Sequence, residues 1–321
     1  MQRSSKIVRL CLCLSTVWLM LAGILLSSCG ITDPGTTSDT AIVFTDALGR
    51  EVELPSVPVR TASLSGSLAD LWLLAGGSLC AASEDAWEDF GYNGEDTVNI
   101  GGAHSPNTEL LLSAGPDFII ASASTAAHVE LLGFLESVGI PTAYFEVESF
   151  DDYLDALALC TRITGRADLY EAHGTQLYDE IAGIRTQFTS SCPEPPSILL
   201  LRASSGGVKA KGSDGTILGG MLYDLGCENI ADSDTSLLET LGLESILEKN
   251  PAHIFVVTMG SDTSAAMESL DALFSGNPAW QTLDAVARGR IHVMDRSLFH
   301  LKPNDRWAEA YRILYETLND T

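Results

Sequence analysis

The sequence predicts an α/β protein of two Rossmann-like lobes bridged by one long α-helix. Three observations predict it. Short runs of β-type residues alternate with helical stretches of about 8–12 residues, the pattern of a largely parallel sheet layered with helices. The alternation stops over residues 150–190, where helical spacing takes over, and resumes from Ile198. A unit of Glu, then Pro seven positions on, then a buried strand occurs twice, as Glu109–Pro116–Phe118 and Glu244–Pro251–Ile254. The expected organisation is a leader over 1–28, a linker over 29–40, an N-terminal lobe over 41–149, a helical segment over 150–190 and a C-terminal lobe over 195–321.

Taken in order, Ile42 to Leu54 carries two β-type runs about a turn at Asp46 to Arg50, which predicts a hairpin. Arg60 to Leu64 reads as a strand, Ser67 to Leu74 as a helix stopped by Gly76-Gly77, and Ser78 to Ser83 as a second strand. Asn107 to Ser113 starts a helix, Asp117 to Ala121 is a buried strand, His128 to Val138 is a helix ended by Gly139, and Ile140 to Val147 is a strand. Helices are expected over Phe150 to Thr164 and Ala167 to Phe188. In the second, Leu177, Ile181, Ile184 and Phe188 share one face. Its ~22 residues make a rod of ~33 Å. Ser191 to Ser197 (SCPEPPS) stops it, and Ile198 to Arg202 begins the second lobe. Gly207 to Gly212 (GVKAKG) has the glycine spacing of a phosphate loop, but Ser213 follows where Lys-Ser/Thr is needed, so a flexible loop is expected. In each Glu–Pro–strand unit the carboxylate falls in the first turn of a helix, where the dipole favours it.

At the start of the chain Arg3, Lys6 and Arg9 precede an apolar run from Leu10 to Leu26, and then come Ser27, Ser28 and Cys29. Basic start, apolar middle and small residues at a cut site are the layout of a secretory signal peptide. Leu, two small residues and Cys resemble a lipobox, after which Cys29 is diacylated and becomes the new N-terminus. The alternative, an uncleaved span, normally needs about 20 apolar residues. Gly30 to Thr40 offers almost nothing to bury and reads as a tether. The expected location is extracytoplasmic, with the lipid holding the protein to the cell membrane.

Cleavage removes three bases and no acids, leaving 43 acidic against 15 basic residues, so the net charge moves from −25 to −28. Such a body does not seek phosphate backbones, which excludes nucleic acid as a partner. Of seven cysteines, Cys11 and Cys13 lie in the leader and Cys29 at the lipid site. Export permits disulfides among Cys80, Cys160, Cys192 and Cys227, and the spacing selects none of the three pairings.

Several stretches together resemble one family: TDALGREVELP at the start, RTASLSGSLADLWLLAGG, the two Glu–Pro–strand units, and the stiff helix between lobes. The chain is similar, from about Ile42 to Leu318, to the helical-backbone (class III) substrate-binding proteins of ABC importers for ferric siderophores, haem and cobalamin. The resemblance implies a monomer that is no enzyme and has no catalytic residue, resident metal or cofactor. Its ligand would be a ferric or cobalt chelate or haem, bound between the lobes. It would be delivered to an ABC permease and its ATPase, with Glu109 and Glu244 docking on permease arginines. The resemblance also puts loops that follow strands at the cleft: Ser65 to Ser67, Asp85 to Phe90, His104, and Ser122 to Thr125 in one lobe. In the other it puts Ser204 to Lys211, Met259 to Asp262, and Phe299 to Lys302 there.

The ligand candidates are therefore Ser65, Ser67, Trp87, His104, Ser124, Arg202, Lys209, Lys211, His300 and Lys302. Trp87 suits a flat or greasy ligand, or caps the core of its own lobe. Arg202, Lys209 and Lys211, joined by Lys302 and Arg306, form a basic cluster in a chain poor in bases. The cluster either focuses potential on an anionic ligand or balances nearby acids. Three alternatives stay open. A zinc or manganese receptor needs converging ligands, and the histidines are scattered. A sensory member of the family would share every feature above. An exported hydrolase would be expected to show a nucleophile elbow or His-Glu-x-x-His, and neither occurs.

Overall fold

The computed structural model describes residues 41–260 and 263–319. The leader over 1–28, Cys29, the linker to residue 40, and Asp262 lie outside the described residues.

Strands β1 (Ile42–Thr45) and β2 (Glu51–Leu54) form the expected antiparallel hairpin. Asp46 builds its turn, with Oδ1 accepting from the Leu48 and Arg50 amides at 3.0 Å each. Five strands follow: β3 (Thr61–Ser63), β4 (Leu79–Ala82), β5 (Val98–Asn99), β6 (Phe118–Ser122) and β7 (Thr142–Phe145). They form a parallel sheet in the order β5-β4-β3-β6-β7. The second sheet holds β8 (Ser197–Ser204), β10 (Glu228–Asn229), β11 (His253–Thr258) and β12 (Ile291–Val293) in the parallel order β10-β8-β11-β12. Strand β9 (Gly207–Lys211) runs antiparallel along β8. In each sheet the chain first steps outward to one side of its opening strand and then crosses to the other. The reversal lies between β3 and β6, and again between β8 and β11. A crevice opens at the carboxyl ends of strands at such a switch point.

The continuous apolar runs of β6 and β8 have a reason in the layering. Phe118 and Ile120, with Ile198 and Leu200, belong to one central core that also takes in Phe188, Trp307 and Tyr311. Their alternate neighbours Ile119 and Ala121, and Leu199 and Leu201, face two separate outer cores. Strands buried on both faces lose the polar alternation of a one-sided sheet. The shared central core ties both lobes to the helices between them.

Those helices begin with Phe150–Thr164, which has the bounds expected. Ser149 and Asp152 form a capping box at its start, and Gly165 ends it in the left-handed region at φ 73°. The next helix runs from Ala167 to Ser191 and carries a π-helical turn at Glu171–Thr175. The expected regular rod is thus interrupted. The Tyr153 hydroxyl donates to the His173 carbonyl at 2.9 Å, taking one of the acceptors that the wider turn displaces. The C-terminal helix Trp307–Asn319 returns to pack on this rod.

Three further expectations are corrected. The stretch GVKAKG is a strand and not a flexible loop, because β8 offers a full antiparallel edge from Leu200 to Ser204. The helix read over His128 to Val138 is two helices, Ala126–Glu130 and Leu132–Val138. Asp85 to Phe90, expected as loop, contains the one-turn helix Asp85–Glu88.

Candidate functional site

The β8–β9 register sets Arg202 opposite Lys209 and Leu200 opposite Lys211. Residues two apart on a strand share a face, so Arg202, Lys209 and Lys211 project from one side of the ladder. That side looks toward the carboxyl end of the first sheet. A cavity of about 130 Å³ lies there, and its lining includes Ser124, Glu148, Arg202, Lys211, His300 and Lys302. Ser124 comes from just past β6 and Glu148 from just past β7. His300 and Lys302 follow the short helix Arg296–Phe299 after β12. The carboxyl ends of both sheets therefore supply one site.

Its electrostatics are those of cations gathered near carboxylates without a salt bridge to any of them. Among the described residues, none of Arg202, Lys209, Lys211 or Lys302 makes an ion pair. Three of the five lysines in the sequence (Lys6, Lys209, Lys211, Lys249, Lys302) stand here. Burial pushes the Lys302 ammonium below its ordinary range, against the pull of Glu148, Asp85 and Glu146. Burial and then the charges of Arg202 and Lys209 lower Lys211. Burial, with Arg202, Arg296 and Lys302 after it, takes His300 down to about 4, so its ring is neutral at pH 7. Glu148, the carboxylate of the lining, is raised by burial and then by Glu146, Asp152 and Asp214. A larger, open hollow of about 690 Å³ lies where β1 and β7 meet the Phe150–Thr164 helix, but its lining has one cation, Arg162, among several acids. The smaller cavity has the convergent polar groups that a ligand site needs.

The other candidates fall elsewhere. Ser65 and Ser67 lie 3.0 Å apart through their hydroxyls at the start of the Gly66–Leu74 helix, with Ser67 buried. Trp87 packs on a small core of Ala69, Ala82 and Ala86, its ring edge-on to Tyr92 at 5.3 Å. His104 is exposed on a turn. Arg306, expected to join the basic cluster, is instead bound to Glu309 at 2.7 Å. Glu109 and Glu244 are both exposed in the first turn of short helices, Thr108–Ser113 and Leu243–Lys249. No group of three or more His, Cys, Asp or Glu placed to hold a metal ion occurs among the described residues.

Sequence reasoning missed Glu148 and Arg296. The rule that put Ser124 at the cleft, a loop following a strand, also reaches Glu148 after β7. Arg296 lies three positions past the end of β12, as Glu148 lies three past β7, so the same rule reaches it once β12 is recognised as a strand.

Two parallel-sheet lobes, a helical layer joining them and a polar cavity at their facing carboxyl ends define a two-lobed binding protein. A family model described as periplasmic binding protein matches residues 62–298, and the chain belongs to that family. Membership implies an extracytoplasmic place of work. No curated protein matches the chain in sequence. Among solved structures, Staphylococcus aureus SirA complexed with staphyloferrin B superposes with a TM-score of 0.68 at 20% identity, covering 87% of this chain and 98% of its own. The periplasmic heme-binding protein RhuT from Roseiflexus sp. RS-1 gives 0.65 at 22% identity, covering 81% and 98%. The periplasmic vitamin B12 binding protein BtuF of Vibrio cholerae gives 0.63 at 18%, covering 82% and 97%. These likenesses establish the class III binding-protein fold.

Proposed function

We propose that this chain is the substrate-binding subunit of an ABC importer. It captures a metal chelate between its lobes, a ferric siderophore first and cobalamin or haem next, and the basic cluster favours an anionic one. It then passes the ligand to a permease and its ATPase. The observation that carries the reading is the set Arg202, Lys211, His300 and Lys302 around one cavity, with Arg202, Lys211 and Lys302 making no ion pair among the described residues, in a chain of net charge −25. Cations gathered and desolvated together cost stability unless a ligand supplies the missing charge. The cavity is smaller than the ~300–1,000 Å³ of a ligand pocket. In this reading it is the floor that holds an anionic group, and the bulk of the ligand rests in the wider cleft beside Ser124 and Lys209. Neighbours whose structures hold staphyloferrin B or whose names give heme and vitamin B12 support the ligand class. The same proposal makes the protein a monomer anchored by lipid at Cys29, with Glu109 and Glu244 as its docking points.

The test is a binding screen by tryptophan fluorescence and melting temperature against ferric siderophores, haem, cobalamin and cobinamide, with free Zn²⁺ and Mn²⁺ as controls. A ligand at 100 times its Kd stabilises by about 2.7 kcal/mol. Lys211→Ala and Lys302→Ala are each expected to weaken the hit about 10-fold, or about 1.4 kcal/mol. Stabilisation by a free ion alone, or variants that bind as the parent does, would refute the chelate reading.

A further inference from the structure

Among the described residues an ion pair crosses the cleft. Arg296 Nη1 lies 2.7 Å from Asp89 Oδ1, joining residues 207 positions apart. Asp89 ends the one-turn helix Asp85–Glu88 of the first lobe, and Arg296 opens the short helix that leads to His300 and Lys302 in the second. Both side chains are largely covered, at 29% exposure for Arg296 and 23% for Asp89. The contact is single-pronged, and Arg296 Nε is buried with no hydrogen-bond partner. A guanidinium matches carboxylate geometry with two parallel N–H donors. Here only Nη1 is engaged, by one oxygen of Asp89, so the pair falls short of that two-pronged match. On the facing helix, Asp85 Oδ2 accepts from the Gly66 amide at 2.8 Å, while its Oδ1 is buried and unpartnered. The first lobe thus presents carboxylates to a cationic wall of the second.

We infer that Asp89 is a built-in competitor for the ligand: it holds Arg296 across the cleft in the empty protein, and an anionic oxygen donor of the chelate takes Arg296 over on binding. The inference rests on the anionic-chelate reading and adds a residue, Arg296, and a release step to it. An internal carboxylate in this place sets a threshold. A weakly charged ligand fails to displace Asp89, and a ligand with two adjacent anionic oxygens engages Nη1 and Nη2 together. Affinity is then traded for selectivity toward dense negative charge.

Three variants test it in the full protein, with ferric citrate as the probe anion: Asp89→Asn, Arg296→Gln and the double change. Removing the competitor with Asp89→Asn is expected to tighten ferric citrate binding about 3- to 10-fold, the scale of a partly buried charge pair. Arg296→Gln is expected to weaken it about 10-fold. The double variant should match Arg296→Gln, because Asp89 acts only through Arg296. In the ligand-free protein, Asp89→Asn should also speed amide exchange over residues 84–92. An ion pair that is merely structural predicts the reverse pattern, a lower melting temperature with weaker or unchanged binding, and that result overturns the inference. Lys211→Ala serves as the control on the underlying reading. If ferric citrate binds neither the parent nor any variant, the chelate reading fails and the inference falls with it, whereas binding by the parent without tightening in Asp89→Asn overturns the inference alone.

Discussion

At the carboxyl end of β6, the Ser122 amide donates to Nδ1 of His128 at 3.1 Å, and Nε2 lies 2.8 Å from the Ala103 carbonyl. The first contact makes Nδ1 an acceptor, so Nε2 carries the proton and donates, and the ring is neutral with both nitrogens used. Burial, the largest cause, pushes its pKa down in the same direction. This histidine, one of the scattered set, braces the loop that carries Ser124. His128→Phe keeps the ring volume and strands one N–H and one C=O away from water. The expected loss is about 2–4 kcal/mol in urea unfolding, from two unpaired buried groups. A loss below about 0.5 kcal/mol, the ordinary range of a neutral surface change, would show that the bonds bear no weight. His300 is neutral for another reason: its burial is compounded by the cations around it. The two histidines show that one residue type can serve as brace or as cleft lining, and only partners distinguish them.

Between neighbouring strands β11 and β12, His253 Nδ1 lies 2.9 Å from His292 Nε2, with the rings nearly parallel and Phe255 stacked beside them. Burial, then His292 and Arg290, takes His253 down to about 4. A histidine with a depressed folded pKa binds its proton more readily when unfolded. Its contribution is therefore complete above about pH 6.5 and is lost as pH falls toward 4. Asp70 and Glu148, raised by burial, act with the opposite sign over part of that range. The difference between the parent and His253→Phe reports the hydrogen-bonded His253–His292 pair, since burial also lowers His292: the variant should flatten the stability profile by on the order of 1.4 kcal/mol per pH unit between pH 6.5 and 4. Parallel profiles for the two proteins would remove His253 from the account. Elements whose signals are local were legible in the sequence. The Asp46 turn, the stop at Gly139 and the bounds of the Phe150–Thr164 helix were read there, and each depends on residues within a turn of one another. Strand β9 was not, because GVKAKG becomes a strand only when β8 gives it an edge. The π-turn was hidden for the same reason, since the Tyr153 hydroxyl reaches it from 20 positions away. In the candidate site, the basic residues could be seen as a cluster. Glu148 and the Asp89–Arg296 bridge depend on the meeting of two lobes.

Across the whole molecule, Glu109 and Glu244 occupy matching places. Each stands in the first turn of the helix preceding the strand that crosses to the far side of its sheet, β6 in one case and β11 in the other. Buried Leu111 and Ile246, two positions on, fix each helix to its own lobe. Gly115 and Asn250, both at positive φ, then turn the chain into Pro116 and Pro251. The carboxylates are exposed and the central core spans both lobes, so their separation is set by a body with little freedom to bend. Two charges at a fixed spacing give a docking surface its register and speed encounter with a basic partner. Charge reversal at both, Glu109→Arg with Glu244→Arg, is expected to reduce cellular uptake at least 10-fold, since two attractive contacts become repulsive. Ligand affinity should stay within about 2-fold, because neither residue lines the cavity. The melting temperature should fall only slightly, as a helix-dipole contact is worth about 0.3–1 kcal/mol. Either single reversal should give an intermediate loss, because one anchor remains. Uptake that survives the double change with binding intact would move the docking surface elsewhere. Loss of binding along with uptake would mean that the reversals disturb the lobes themselves, and the melting curve would reveal it.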